Sequence, residues 1–281
     1  MRIDIVARPA SQEDPNEDYA AVVLADGGVA VVLDGVTPPA DGDTGCAHDV
    51  PWFTARLGGA LVELAGSRRE WDLAACLSEA ITRTAAAHGP GCDLSHKRTP
   101  QATAALLRWD EERVEHLVLS DAAILLGGKD GTITPVLDTR LTVLRLRPDL
   151  RALRERVKAL APGTAESEAA VHAYVGAVTA LRNAEGGFFT VAADPDVAGR
   201  AVTGLTPRAD VTDAAALTDG ATRWTEVFGL GDFPALLSLV REEGLNTLLA
   251  QVRASEHADP EGEEFPRGKR HDDVAGVYVE L

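Results

Sequence analysis

Carboxylates collect at the ends of short apolar runs in this chain, an arrangement that few scaffolds accept. Asn16-Glu17-Asp18 precedes the run Tyr19–Leu24, and Asp34-Gly35 closes Val29–Leu33. Asp219-Gly220 follows Ala214–Leu217, and Asp272-Asp273 precedes Val274–Leu281. A single Asp-Gly pair commonly marks a turn. Several carboxylates at strand ends can instead point into one cleft, where they form a hard, oxygen-rich site suited to Mg²⁺ or Mn²⁺.

The rest of the pattern is consistent with a β scaffold. Residues 2–7, 19–25 and 28–34 read as strands, the last two joined by a hairpin turn at Asp26-Gly27-Gly28. Helices follow at 51–66, where Trp52, Phe53, Leu57, Leu61 and Leu64 recur at helical spacing, and at 72–88, capped by Asp72. Gly89-Pro90-Gly91 stops the second helix. A meander of strands is expected at 102–109, 113–119, 122–127 and 132–137, then helices at 149–161 and 166–182 separated by Pro162-Gly163. Residues 187–193 and 213–218 read as strands again, Asp232 and Pro234 open a helix to about Glu243, and 245–255 forms another. Residues 256–270 form a polar loop before a last strand at 274–280. Strands follow strands more often than they alternate with single helices, which argues for an α+β fold with antiparallel sheets and helices stacked outside. One domain over 1–281 is expected, with 139–186 as a helical flap inserted into it.

Composition narrows the function classes. The 281 residues are 45% hydrophobic and 25% charged, with a net charge of −17. That balance suits a globular protein and argues against binding nucleic acid or an anionic membrane. No stretch approaches the roughly 18–20 apolar residues that span a bilayer. The opening Arg2-Ile3-Asp4-Ile5-Val6 has no signal-peptide run, so the cytoplasm is the expected compartment. Cys46, Cys76 and Cys92 form no CxxC pair, which makes a disulfide framework unexpected. Cys46 and His48, then His88, Cys92 and His96 at intervals of four, are zinc-type donors. Gly89-Pro90-Gly91 forbids a regular helix there, and the expectation is of loop residues near the mouth of the cleft.

In order along the chain, the carboxylate motifs resemble those of the metal-dependent protein phosphatases of the protein phosphatase 2C type. Asn16-Glu17-Asp18 is similar to the family's N-E-D motif and Val32-Leu33-Asp34-Gly35 to its first D-G motif. Ala102-Thr103-Ala104-Ala105 resembles the S-G-S-T-A strand, and Leu119-Ser120-Asp121 the G-D-S-R turn. Leu217-Thr218-Asp219-Gly220 resembles S-D-G, and Asp272-Asp273-Val274-Ala275-Gly276-Val277 the terminal motif. The resemblance implies a divergent bacterial member with two packed antiparallel sheets flanked by helices on both outer faces, a four-layer α/β/β/α sandwich. It implies two ions, Mg²⁺ or Mn²⁺. Asp34 would bridge them, the Gly35 carbonyl would bind the second, and Asp219 and Asp272 would complete the first. Glu17 and Asp18 would hold metal-bound waters, and Asp121 would touch a weaker third ion. The implied reaction is attack of a metal-activated water on a phosphate monoester, with no Ser or Cys nucleophile.

The surroundings of that core depart from the family. Glu13 stands where an Arg usually clamps the substrate phosphate, Val36-Thr37-Pro38-Pro39 replaces a Gly-rich or His-containing turn, and Ala123 and Arg223 replace a basic and an acidic residue. Arg8 or Arg223 is then the expected anion contact, and His271 a candidate proton donor. The first reading is a phosphatase acting on a phosphorylated protein or a smaller phosphoester. The others are a catalytically silent phosphatase-like protein that binds metal or a ligand for regulation, and a metal site redirected to another hydrolysis.

Overall fold

The computed structural model describes residues 1–38, 42–161 and 163–281. The Pro39 half of the Pro38-Pro39 turn and the Pro162 break expected from the sequence lie outside the described residues. Among the described residues, ten strands form two antiparallel five-stranded sheets. The first contains β1 (Ile3–Arg8), β6 (Ala123–Gly128), β7 (Ile133–Leu137), β9 (Val211–Leu217) and β10 (Val274–Glu280), in the order β1-β10-β9-β6-β7. The second contains β2 (Tyr19–Val23), β3 (Gly28–Gly35), β4 (Ala102–Trp109), β5 (Arg113–Leu119) and β8 (Val202–Pro207), in the order β2-β3-β4-β5-β8.

The sequence explains why the sheets stack. Alternate residues of a strand face opposite sides. On β3, Ala30 and Val32 face the other sheet together with Ala105 and Leu107 of β4, and they meet Ala214 and Ala216 of β9 and Ala275 and Val277 of β10. The opposite face of β3, Val29, Val31 and Leu33, packs on Phe53, Leu57 and Leu61 of α1 (Val50–Ser67) and Leu77 and Ile81 of α2 (Leu73–Ala87). Across the molecule, Leu217 and Tyr278 pack against α6 (Asp219–Glu226), α7 (Phe233–Glu243) and α8 (Leu245–Ala258). Burying each of these Leu or Phe side chains contributes about 1.5–3 kcal/mol. The result is the α/β/β/α sandwich expected from the motifs. Asp49, Asp72 and Asp232 cap α1, α2 and α7 by accepting hydrogen bonds from Trp52, Ala75 and Ala235.

Between β7 and β8 lie α3 (Arg140–Leu144), α4 (Pro148–Lys158) and α5 (Ala165–Ala180). They share a small core of their own, in which Leu141, Leu144 and Leu150 meet Phe188. This is the segment read as a flap.

Three local expectations fail. Residues 187–193 form no strand and make only the isolated bridges Ala102–Val191 and Arg182–Phe188, because Gly186-Gly187 turns the chain back onto α5. The meander breaks after β5, which pairs with β4 and β8 and not with β6; β8 is an edge strand whose Val202 and Leu205 are exposed, so no apolar alternation announces it. Asp219-Gly220 follows the strand β9 as expected, but no helix is expected after it, and α6 starts at Asp219.

Candidate metal centre

Two glycines let the carboxylate ends come together. Gly35 is the last residue of β3, and a Cβ there would lie 2.6 Å from the Glu17 carbonyl oxygen and 2.4 Å from Val50 Cγ1. Gly220, the second residue of α6, lies so close to the chain before β10 that a Cβ would lie 1.9 Å from the Asp273 carbonyl oxygen. Neither glycine has positive φ. Both are required by close backbone approach rather than by turn conformation. Thr218 locks the second junction: its backbone N–H donates to Ala275 O at 3.0 Å, and its Oγ accepts from Ala275 N at 2.9 Å.

Asp273 does the same for the first motif. Its two carboxylate oxygens accept from the backbone N–H groups of Ala10 and Glu17, both at 2.6 Å. The sequence marks Asp273 as the neighbour of Asp272 without giving it a role. In the fold it ties the Glu17-Asp18 segment to the start of β10.

The junctions gather Asp34, Asp121, Asp219 and Asp272 around a cavity of about 350 Å³. Glu17 lines the adjoining cavity, and Asp18 lies buried behind, at 8% exposure. Burial, followed by repulsion from Asp219, Asp18, Asp121 and Asp272, pushes the Asp34 carboxyl well above the usual carboxylate range. Burial and then Asp219 and Asp273 do the same to Asp18. Burial, Asp121 and Asp272 push Asp219 up to about 7, against Arg223 and a hydrogen bond with Asp34. Burial also raises Glu17, whose carboxylate accepts from the Thr37 hydroxyl.

Carboxylates packed this tightly need protons or cations between them. Asp18 Oδ2 and Thr103 Oγ1 are buried without a hydrogen-bond partner, and Thr103 lines the same cavity. The donor set is all oxygen, carries several negative charges and holds orphaned acceptors, and it fits hard divalent cations.

A basic wall stands over this acidic floor. Arg145, Arg182 and Lys269 line the cavity. Arg182 Nε is buried without a partner, and desolvation lowers its guanidinium pKa against the pull of Asp121. Arg145 reaches Asp121 only at 4.0 Å. Lys269 Nζ donates to Asp272 Oδ1 at 3.1 Å and to Thr37 Oγ1 at 2.8 Å. Desolvation lowers its ammonium pKa, but Asp272, Glu17 and Asp34 raise it, and the net shift is upward.

The two arginines expected to bind an anion are placed differently. Arg8 is exposed, bonds to Ala7 O and is not among the residues that line the cavity. Arg223 does line it, but its terminal nitrogens are held by Glu256 Oε1 at 2.8 Å and Asp272 Oδ2 at 2.5 Å. Glu256 is fully buried on α8 and also accepts from Arg253 at 2.7 Å, with His271 Nδ1 at 2.7 Å. Arg253 in turn donates to the Asp272 carbonyl at 2.7 Å. Arg223 is thus part of a buried network that fixes Asp272, and His271 is turned toward Glu256. Glu13 is exposed and does not line the cavity either.

Sequence reasoning missed Arg145, Arg182, Glu256 and Arg253. The Arg253–Glu256 spacing on one helix face was the only local trace of the network. Nothing local could foretell that 139–186 delivers Arg145 and Arg182.

No family model matches the chain, and neither does any curated protein. Solved structures do match, over the whole length. The serine/threonine phosphatase Stp1 of Staphylococcus aureus superposes with a TM-score of 0.58 at 11% identity, covering 99% of this chain and 94% of that one. The Mycobacterium tuberculosis serine/threonine phosphatase PstP/Ppp gives 0.55 at 15% identity over 100% and 98% of the two chains. A structure of the PstP catalytic domain in complex with two manganese ions gives 0.53 at 16% identity over 99% and 97%. The chain shares their fold.

Proposed function

We propose that this protein, built on the fold of the protein phosphatase 2C type, is a metal-dependent phosphatase acting on phosphoserine, phosphothreonine or another phosphate monoester. One juxtaposition carries the reading. Asp34, Asp121, Asp219 and Asp272 form the floor of a cavity whose wall presents Arg145, Arg182 and Lys269. Hard oxygen donors below and cationic donors above match a divalent cation bound to a phosphate dianion. The manganese-bound neighbour adds support for two divalent ions, Mn²⁺ or Mg²⁺.

Asp34, the Gly35 carbonyl, Asp219 and Asp272 would hold the ions, with Glu17 and Asp18 binding their waters and Asp121 at the margin. Bound there, the ions would supply an acidified water as nucleophile and offset charge on the phosphoryl oxygens. The chain's own groups prepare the site. Asp34, Asp18 and Asp219 give up the protons that burial and repulsion impose on them. Arg182 and Lys269 orient the phosphate. Arg223, Arg253 and Glu256 keep Asp272 in place. The flanking residues of a phosphorylated segment have room in an adjoining cavity of about 1140 Å³, which shares Val36, Thr37 and Arg182 with the first. A net charge of −17 makes nucleic acid and anionic membranes poor partners.

Turnover of para-nitrophenyl phosphate and of a phosphothreonine peptide with Mn²⁺ tests this. Asp34→Asn should lower kcat by about 10²–10³-fold, the scale on which electrostatic stabilisation is lost. Equal turnover in wild type and Asp34→Asn would reject the assignment. One observation favours a catalytically silent regulatory protein instead: Arg223 and Lys269 already neutralise Asp272. Mn²⁺ binding without hydrolysis of any phosphoester would select that reading.

A further inference from the structure

At the wall of the larger cavity, which Cys46 and His48 help to line, four zinc-type donors converge. Cys46 and His48 come from the loop between β3 and α1, and His88 and Cys92 from the end of α2 and the chain beyond it. Their ligand atoms all lie within 4.8 Å of one another. The two sulfurs are 3.2 Å apart, Cys46 Sγ is 3.2 Å from His88 Nδ1 and 3.7 Å from His48 Nδ1, and Cys92 Sγ is 3.4 Å from His48 Nδ1. A tetrahedral zinc ion, with bonds of about 2.3 Å to sulfur and about 2.0–2.1 Å to nitrogen, spaces its ligand atoms roughly 3.3–3.8 Å apart. We propose that Cys46, His48, His88 and Cys92 bind one Zn²⁺ as a closed, structural Cys₂His₂ site, separate from the carboxylate centre.

This goes beyond the expectation of loop residues near the cleft mouth, which the positions of Cys46 and His48 in the cavity wall agree with. Gly89-Pro90-Gly91 does end the helix, and that ending brings Cys92 round. Gly89 has φ +75°, and the chain turns back so that Asp93 N donates to Gly45 O at 2.6 Å. The intervals of four therefore carried no meaning as a helix face, and His96 is not among the gathered donors.

The surroundings are those of a metal knuckle. Backbone N–H groups of His48 and Ala47 lie 3.3 Å from Cys46 Sγ and 3.4 Å from Cys92 Sγ, where they favour thiolate. His48 stacks on Trp52 at 3.8 Å, and His88 meets the same ring edge-on at 4.8 Å, an apolar jacket on the imidazoles. The donor softness selects zinc over the Mg²⁺ or Mn²⁺ suited to the carboxylates. A Cys46–Cys92 disulfide would need the sulfurs at about 2.05 Å and would give the two imidazoles no role.

Four protein ligands leave no open position, so the ion would act by tying elements together. It would join the loop that follows Gly35, with Thr44, Cys46 and His48 in the wall of the 1140 Å³ cavity, to the end of α2. The proposal does not depend on the phosphatase reading.

Zinc content of the purified full chain, after dialysis against metal-free buffer, tests it. Wild type and Asp34→Asn should each retain about one zinc per chain, and C46S/C92S should retain none. Because that double variant could misfold, a second measurement uses wild type alone. Cobalt added to the reduced, zinc-stripped protein should give the intense visible absorption of a tetrahedral cobalt–thiolate site. Wild type without zinc and without that absorption would overturn the proposal. So would a Cys46–Cys92 disulfide in protein isolated under reducing conditions, or zinc lost in Asp34→Asn and kept in C46S/C92S.

Discussion

At the scale of single residues, Arg182 concentrates the question of substrate binding. It is the cation in the cavity wall with a buried, unpartnered Nε, whereas Arg223 is spent on Glu256 and Asp272. A hydrogen bond between charged groups is worth about 1.5–3 kcal/mol, or roughly 10- to 100-fold in binding. Arg182→Ala should raise KM for a phosphopeptide by about that factor, while Arg8→Ala leaves it unchanged. An unaltered KM in Arg182→Ala, measured where Mn²⁺ affinity is intact, would remove Arg182 from the phosphate site. The comparison also shows what a sequence conceals. Arg8 and Arg223 were attractive because they lie beside motifs in the chain. Arg182 lies far from every motif, and tertiary contacts, the packing of Phe188 against Leu141 and Leu144 and the Ala102–Val191 bridge among them, bring it into the cavity lining.

At the scale of elements, the two Asp-Gly motifs are close-contact devices. Gly220→Ala would drive a methyl into the Asp273 carbonyl, and the start of β10 would have to shift. Overpacking of this kind costs about 1–3 kcal/mol. It should also weaken Mn²⁺ binding, because Asp219 and Asp272 sit on the two parts forced apart. Gly59→Ala is the matched control: it lies exposed within α1 with nothing within 4 Å of the added Cβ, and should stabilise by roughly 0.5–1 kcal/mol through helix propensity. Equal changes in melting temperature for the two variants would refute the contact argument. Most strands and both early helices were legible because their apolar periodicity is driven by burial on one or both faces. β8 was not, since an exposed edge strand needs no alternation. The helix α6 was hidden by Asp219-Gly220, which reads as a turn until the neighbouring chain is known. The Cys46, His48, His88 and Cys92 cluster was legible as residue types but not as a site, because two separate loops assemble it.

At the scale of the whole molecule, the sandwich places strand ends from both sheets around one cavity, and on the proposed function global stability is coupled to metal as well as to pH. Asp34, Asp18 and Asp219 all have carboxyl pKa values raised by burial and mutual repulsion. For Asp219 the window runs from the ordinary value of 3.8 to about 7. Within it the metal-free folded chain holds a proton that the unfolded chain has released. Stability therefore falls as pH rises through that window, and the full cost is present above about 7. Divalent ions bind the deprotonated form, so their stabilisation should grow over the same range, reaching about 2.7 kcal/mol when the free ion is at roughly 100 times its dissociation constant. Thermal denaturation with and without Mn²⁺ across this range measures both effects. Lowered carboxylates elsewhere, such as Asp213 and Glu256, impose a pH dependence of the opposite sign, and Asp219→Asn isolates the contribution of the site. Without metal, Asp219→Asn should match wild type in the acid part of the window and become more stable than wild type above it. With Mn²⁺ the order should reverse, because the variant has lost a ligand. A variant less stable than wild type at every pH without metal would show that Asp219 carries no electrostatic burden in the folded chain, and the charge argument for the metal centre would fail with it.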